Sequence, residues 1–227
     1  MSDEVSISEN RDLILDQMRD AAKWAKRTPD DIQLVAVSKQ QPDVRIEAAL
    51  ACGHRVFGEN RVQEAQQRWG ETFANQRGGL ELRLIGPLQT NKVEVAAALF
   101  DVIETLDRDK LARALVNAAL KVGHMPRLLV QVNTGEEDQK SGVSPTKLPT
   151  FLKRLKTEYD IEPEGLMCIP PQGEAASPHF WLLGNMAADH GLTTLSMGMS
   201  ADFETAIKLG ATHVRVGSAL FGARPMQ

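Results

Sequence analysis

Residues 33–60 read QLVAVSKQQPDVRIEAALACGHRVFGEN. The valine-rich run Gln33 to Ser38, bounded by Pro29 and Pro42, has the signature of a strand. A helix follows and ends before Gly53, and a short second strand runs from Arg55 to Gly58. A crossover helix between two strands returns the chain to the same edge, so this stretch predicts a β–α–β unit of a parallel sheet. The pattern E-x-A-(L/I)-x-x-G at Glu47–Gly53 returns at Glu204–Gly210, each time followed by a short strand ending in glycine, Gly58 or Gly217. The apolar pair packs inward, and Gly53 and Gly210 permit the positive φ that ends a helix.

The alternation continues outward from this unit. Further strand-like runs are Leu82 to Ile85, Val102 to Glu104, Arg127 to Val132, Gly165 to Ile169, Thr193 to Ser196 and His213 to Val216, which makes eight in all. An opening helix from about Ser8 to Lys26 sets Ile14, Met18, Ala21 and Ala25 on one face. Other helical patterns cover Val62 to Arg68, Lys92 to Leu99, Arg108 to Leu120, Ser144 to Thr157, Ala176 to His190 and Ala201 to Leu209. Eight strands with intervening helices predict an α/β fold, a closed (β/α)8 TIM barrel with an additional N-terminal helix, forming one domain over residues 1–227. The alternative, an open doubly wound sheet, usually has fewer strands.

Composition excludes several classes. With 42% hydrophobic and 25% charged residues and a mean hydropathy of −0.26, the chain is neither disordered nor fibrous. A net charge of −4 with no basic block argues against nucleic acid or an anionic membrane as partner. Cys52 and Cys168 lie far apart, as free thiols of a reducing compartment do. Met1 to Asn10 is acidic and polar, unlike a signal peptide, and no apolar run approaches the roughly 20 residues that span a bilayer, so the expected location is the cytoplasm. The histidines show no H-x-x-x-H or H-x-H spacing, so no metal site is expected. No G-x-S-x-G elbow, Walker loop or dinucleotide fingerprint is present, and the acidic run Glu136-Glu137-Asp138 reads as a solvated loop.

Functional groups of a parallel barrel gather at the C-terminal ends of its strands. That filter selects Lys39, Glu59, Asn60, the loop Gly86 to Gln89, Asn133, Met197 to Ser200, and Gly217-Ser218. Lys39 extends the row Gln33, Val35, Val37 and should point the way the valines do. In a poorly solvated barrel mouth its charged form is disfavoured and the free amine, which attacks carbonyls, is favoured; the plainer reading is a lysine whose head reaches solvent. Arg215 sits inside the strand His213 to Gly217, where a guanidinium needs either a core acid or a ligand atom. The turns at Met197–Ser200 and Gly217–Ala219 offer backbone N–H groups and hydroxyls for an anion, although Ser200 also reads as an ordinary N-cap of the helix beginning at Ala201. Two such turns after strands seven and eight match the place where barrels often hold phosphate.

The segments Val37-Ser38-Lys39, Phe57-Gly58-Glu59-Asn60 with Val62-Gln63-Glu64, Ile85 to Lys92 (IGPLQTNK), Gly165-Leu166-Met167, Leu195 to Ser200 (LSMGMS) and Val214 to Arg224 (VRVGSALFGAR) occur in an order and spacing that resembles the pyridoxal phosphate homeostasis proteins, relatives of the N-terminal barrel of alanine racemase. The resemblance implies pyridoxal 5′-phosphate (PLP) held as a Schiff base on Lys39, Arg215 facing the pyridine nitrogen, Ser200, Gly217 and Ser218 on the phosphate, and Asn60 beside the ring. Arg83 departs from the aromatic residue or histidine expected there, and Pro170 to Gly173 departs from the expected loop; both changes are expected at the rim.

A permanently cationic arginine at the ring nitrogen makes the ring a weak electron sink, which disfavours transamination. Racemisation needs acid–base groups on both faces. The chain ends at Gln227, soon after the phosphate turn, and its only tyrosine, Tyr159, is expected in a distant loop. The expected function is therefore a monomeric PLP carrier or reservoir in vitamin B6 homeostasis, without established turnover, that delivers PLP to apo-enzymes. A low-activity monomeric amino-acid racemase is the alternative, and a Schiff-base aldolase acting on a phosphorylated sugar is a third reading.

Overall fold

The computed structural model describes residues 6–137 and 139–223; Met1 to Val5, Asp138 of the acidic run and Arg224 to Gln227, which include the end of the last motif, lie outside the described residues. Eight parallel strands close into a barrel in chain order: β1 (Gln33–Val37), β2 (Val56–Glu59), β3 (Glu81–Leu84), β4 (Val102–Leu106), β5 (Arg127–Val132), β6 (Gly165–Cys168), β7 (Thr194–Met199) and β8 (His213–Val216). β1 pairs with both β2 and β8, so the two copies of the helix-to-strand turn flank the strand that leads to Lys39. Gly53 and Gly210 take φ of +78° and +104°, as helix-ending glycines do.

The helices around the barrel are α1 (Ile7–Trp24), α2 (Asp43–Ala51), α3 (Val62–Ala65), α4 (Val93–Leu99), α5 (Asp109–Val122), α6 (Leu148–Tyr159), α7 (Ala176–Asp189), α8 (Phe203–Lys208) and α9 (Ser218–Phe221). The N-terminal helix α1, capped by Ser6, buries Ile7, Ile14, Met18, Ala21 and Ala22 and packs against α8 and α9. Arg27 then ties its end down by donating to the carbonyls of Ile207 and Ala211. α3 continues into a π-helix over Gln66–Thr72, longer than the helix expected at Val62 to Arg68. Tyr159 is the last residue of α6, not a loop residue.

The main apolar core lies between strands and helices and includes Leu34 and Ala36 of β1. Val35 and Val37 belong to the opposite row, and a Cβ placed on Gly58 of β2 would lie 3.0 Å from Val35, which marks that row as the barrel interior. Lys39 follows it, as the strand parity predicts.

The barrel interior is polar for much of its length. Arg83, Glu104, Ser196 and Arg215 are all at most 3% exposed and form a continuous chain. Arg83 donates to Glu104 (2.5 Å), Ser196 donates to the other Glu104 oxygen (2.5 Å), and Arg215 donates to Ser196 Oγ (2.7 Å) and to the carbonyl of Cys168 (2.8 Å). Glu81 joins Arg83 to Arg127 at the other end. Arg83 is therefore an interior residue and not a rim residue: its place in mid-strand, on the inward row of β3, puts it among buried carboxylates.

Candidate functional site

Lys39, Asn60, Ser200, Arg215, Gly217 and Ser218, selected from four stretches of the sequence, all line one cavity of about 280 Å³ at the C-terminal mouth of the barrel. Closure of the barrel explains this, because β8 lies against β1 on one side and β7 on the other. Val37, Gln41, Ile85, Ile169 and Met199 complete most of the wall. Met199, at the end of β7, belongs to the selected Met197–Ser200 turn, whereas Ile169, just past β6, would have been found by a strand-end search that admitted apolar residues there. Glu59, Asn133 and the Gly86–Gln89 loop satisfied the same search but do not line this cavity.

Local geometry brings each group in. The β7/β8 register shifts between Ser196 and Met199, where Gly198 has φ of +89° and a Cβ would sit 2.5 Å from Ala206. Only glycine fits there, and the shift turns Met199 and Ser200 into the mouth. Ser200 is not an N-cap: α8 starts at Phe203, and Asp202 accepts from Met199 N instead (2.6 Å). Ser200 Oγ accepts from the main-chain N–H groups of Gly217 (3.3 Å) and Ala219 (3.4 Å), which joins the two serine turns into one wall. At Gly86 a Cβ would lie 2.2 Å from the Asn60 carbonyl, so this glycine lets the β3 loop press on Asn60. Asn60 Oδ1 is buried with no hydrogen-bond partner among the described residues.

The electrostatics are one-sided. Among the described residues lining the cavity, the charged ones are Lys39 and Arg215. Burial alone would favour neutral Glu104 beneath it, but Arg83, Arg215 and the Ser196 hydroxyl outweigh that and hold it below the usual carboxylate range. Burial pushes the Cys168 thiol up to about 12, so that sulfur stays protonated beside Arg215. A larger cleft of about 640 Å³ mixes Asp107, Glu136 and Glu137 with Arg108, Lys140 and Arg154 and is internally paired, so it has no comparable preference for anions. Among the described residues no helix is long and apolar enough to cross a membrane, and no group of three or more His, Cys, Asp or Glu gathers as metal ligands.

Residues 13–225 match the family model for the alanine racemase N-terminal domain. A relative in Pseudomonas aeruginosa, named pyridoxal phosphate homeostasis protein, is 41% identical over 96% of this chain and 96% of its own; one in Haemophilus influenzae with the same name is 37% identical over 97% of each. The chain belongs to this family. A solved family structure, PipY of Synechococcus elongatus with PLP bound, superposes with a TM-score of 0.76 at 35% identity, covering 91% of this chain and 100% of that one. Membership of the pyridoxal phosphate homeostasis family accords with the barrel, which the motif order and the strand count predict independently.

Proposed function

We propose that this protein binds pyridoxal 5′-phosphate in the mouth cavity and serves intracellular PLP homeostasis as a carrier or reservoir. The observation that carries the reading is the cavity itself: an amine, a guanidinium and two serine turns converge there, which suits an aromatic aldehyde bearing a phosphate dianion. PLP supplies a reactive aldehyde when bound, which Lys39 takes up as an imine with loss of water. Ser200, Gly217 and Ser218 hold the phosphate, and the Gly217 and Ala219 N–H groups exchange their long contacts to Ser200 Oγ for contacts to it. Arg215, with two of its five N–H donors engaged inside the barrel, directs others to the pyridine nitrogen. Being a fixed cation held over Ser196 and Glu104, it hydrogen-bonds that nitrogen without protonating it, and a carbanion beside the imine gains little stabilisation. Asn60 Oδ1 lies ready to accept from a ring substituent.

The carrier reading is preferred to a racemase because Lys39 lines the cavity whereas Tyr159 lies at the end of α6, outside its wall. The protein acts as a monomer in the cytoplasm and passes PLP to apo-enzymes.

The test is reconstitution with PLP. The wild type is expected to turn yellow and to carry one borohydride-fixed PLP on Lys39 by mass spectrometry, while Lys39→Ala stays colourless. A colourless wild type, or label on another lysine, overturns the reading. Handover to an apo-enzyme in the presence of a trap for free PLP tests the carrier role. Substantial Cα deuterium uptake by single-enantiomer amino acids would favour the racemase.

A further inference from the structure

Lys39 lies in the tight segment between β1 and α2, and the main chain on both sides of it is held by side chains from one helical segment. Arg68, 8% exposed, donates from Nη1 to the Ser38 carbonyl (3.0 Å) and from Nη2 to the Gln41 carbonyl (2.8 Å). Glu64, one α-helical turn earlier, accepts from the Gln40 main-chain N–H (2.5 Å) and pairs with Arg68 (3.3 Å). Gln40 has φ of +56°, a left-handed conformation uncommon for a non-glycine residue, so the turn needs outside contacts to persist. Arg68 is anchored in its turn by Glu59 (2.8 Å), which also accepts from Ser38 Oγ (2.7 Å) and Trp69 Nε1 (3.1 Å). The π-helix that follows α3 buries Arg68 and Trp69 in succession, and π-helical turns recur at functional sites.

We propose that Glu64 and Arg68 are positioning residues for Lys39, a latch that fixes the direction of its amine; this rests on the reading of Lys39 as the imine-forming group. The latch acts through three main-chain groups, the Ser38 and Gln41 carbonyls and the Gln40 N–H, and these bracket Lys39. Displacement of a reacting group by about 1 Å lowers a rate by about a hundredfold, so losing the latch shows in imine formation before it shows in affinity.

The test compares wild type with Glu64→Gln, Arg68→Lys and Arg68→Ala, by three measurements. Hydrogen exchange of the 38–41 amides without cofactor reads the latch itself. The rate of imine absorbance with PLP reads its effect. Affinity for pyridoxine 5′-phosphate, whose alcohol cannot form an imine, reads the pocket alone. Glu64→Gln is expected to speed exchange at Gln40 and slow imine formation by about tenfold each. Arg68→Ala is expected to slow imine formation by about a hundredfold. Arg68→Lys is expected to recover part of that rate, and pyridoxine phosphate affinity stays within about twofold throughout. Unchanged exchange and imine rates overturn the latch, as does a parallel loss of pyridoxine phosphate affinity. If Arg68→Ala does not fold, Glu64→Gln and Arg68→Lys decide. If the wild type forms no imine, the proposed function fails, and retained protection at Gln40 in the variants would separately overturn the latch.

Discussion

Two buried glutamates stand behind residues of the mouth cavity, Glu104 behind Arg215 and Glu59 behind the Lys39 segment, and their surroundings pull them in opposite directions. Glu104, inside the barrel below Arg215, is fully buried, yet Arg83, Arg215 and Ser196 keep it below the usual carboxylate range. Glu59, behind the Lys39 segment, is equally buried, but burial outweighs its pairing with Arg68 and pushes it upward, with Glu64 adding repulsion. Glu104 has donors on both oxygens, whereas Glu59 Oε2 has no partner among the described residues. The number of cations around a buried carboxylate, more than its depth, decides its charge. The barrel network thus fixes a permanent cation, Arg215, under the cavity, while the cluster behind β1 holds a loop.

The strongest break in this contrast is Glu104→Ala, which leaves Arg83 and Arg215 buried without their shared carboxylate. It is expected to destabilise the fold by about 3–5 kcal/mol in urea titration. A loss below about 1 kcal/mol would show that the interior does not depend on the alternation of charge. Arg68→Ala is expected to cost less, about 1–3 kcal/mol, because Glu59 more readily takes a proton once the arginine is gone. Equal losses for the two would erase the distinction.

The pH dependence sharpens it further, since the two acids act with opposite sign. Glu104 titrates below its ordinary 4.5 in the folded state, so the unfolded chain binds more protons in that window and stability is lost as pH falls from 4.5. His213, pushed down to about 4 mainly by burial and then by Arg83, adds a loss between pH 6.5 and about 4. Glu59 titrates above 4.5, so its contribution is present at low pH and declines as pH rises through its folded value. Glu104→Gln should therefore flatten the acid side of the stability profile, and Glu59→Gln the decline above pH 4.5; the same change of slope in both would contradict the opposed environments. The smallest effect provides the baseline: Lys121→Ala breaks an exposed pair with Glu94 and is expected to change stability by no more than about 0.5 kcal/mol.

Much of this was legible beforehand for a local reason. Strand parity predicts that Lys39 follows Val35 and Val37, and the repeated E-x-A-(L/I)-x-x-G turn predicts the two helix ends beside β1. Arg68 carried no comparable signal, because a 3.6-residue pattern does not announce a π-helix or the two carbonyls that bracket a lysine about thirty positions earlier. Arg83 reads as a rim residue only because departures from the family's motif are expected there, and its true partner, Glu104, is 21 residues away on another strand and leaves no local signal. Ser200 looked like a cap because serine before a helix usually is one, and the register shift at Gly198 gave it another use.

By itself, the sequence determined the periodic features: eight strands, the helices between them, and the residues standing at strand ends. These follow from steric and hydrophobic rules that act over a few residues. Only the tertiary structure decided which strand ends share a cavity and which buried charges meet, such as Ser196 with Glu104 across 92 positions. The physical reason is that periodicity sets the direction in which a side chain points, whereas closure of the barrel sets what it meets there.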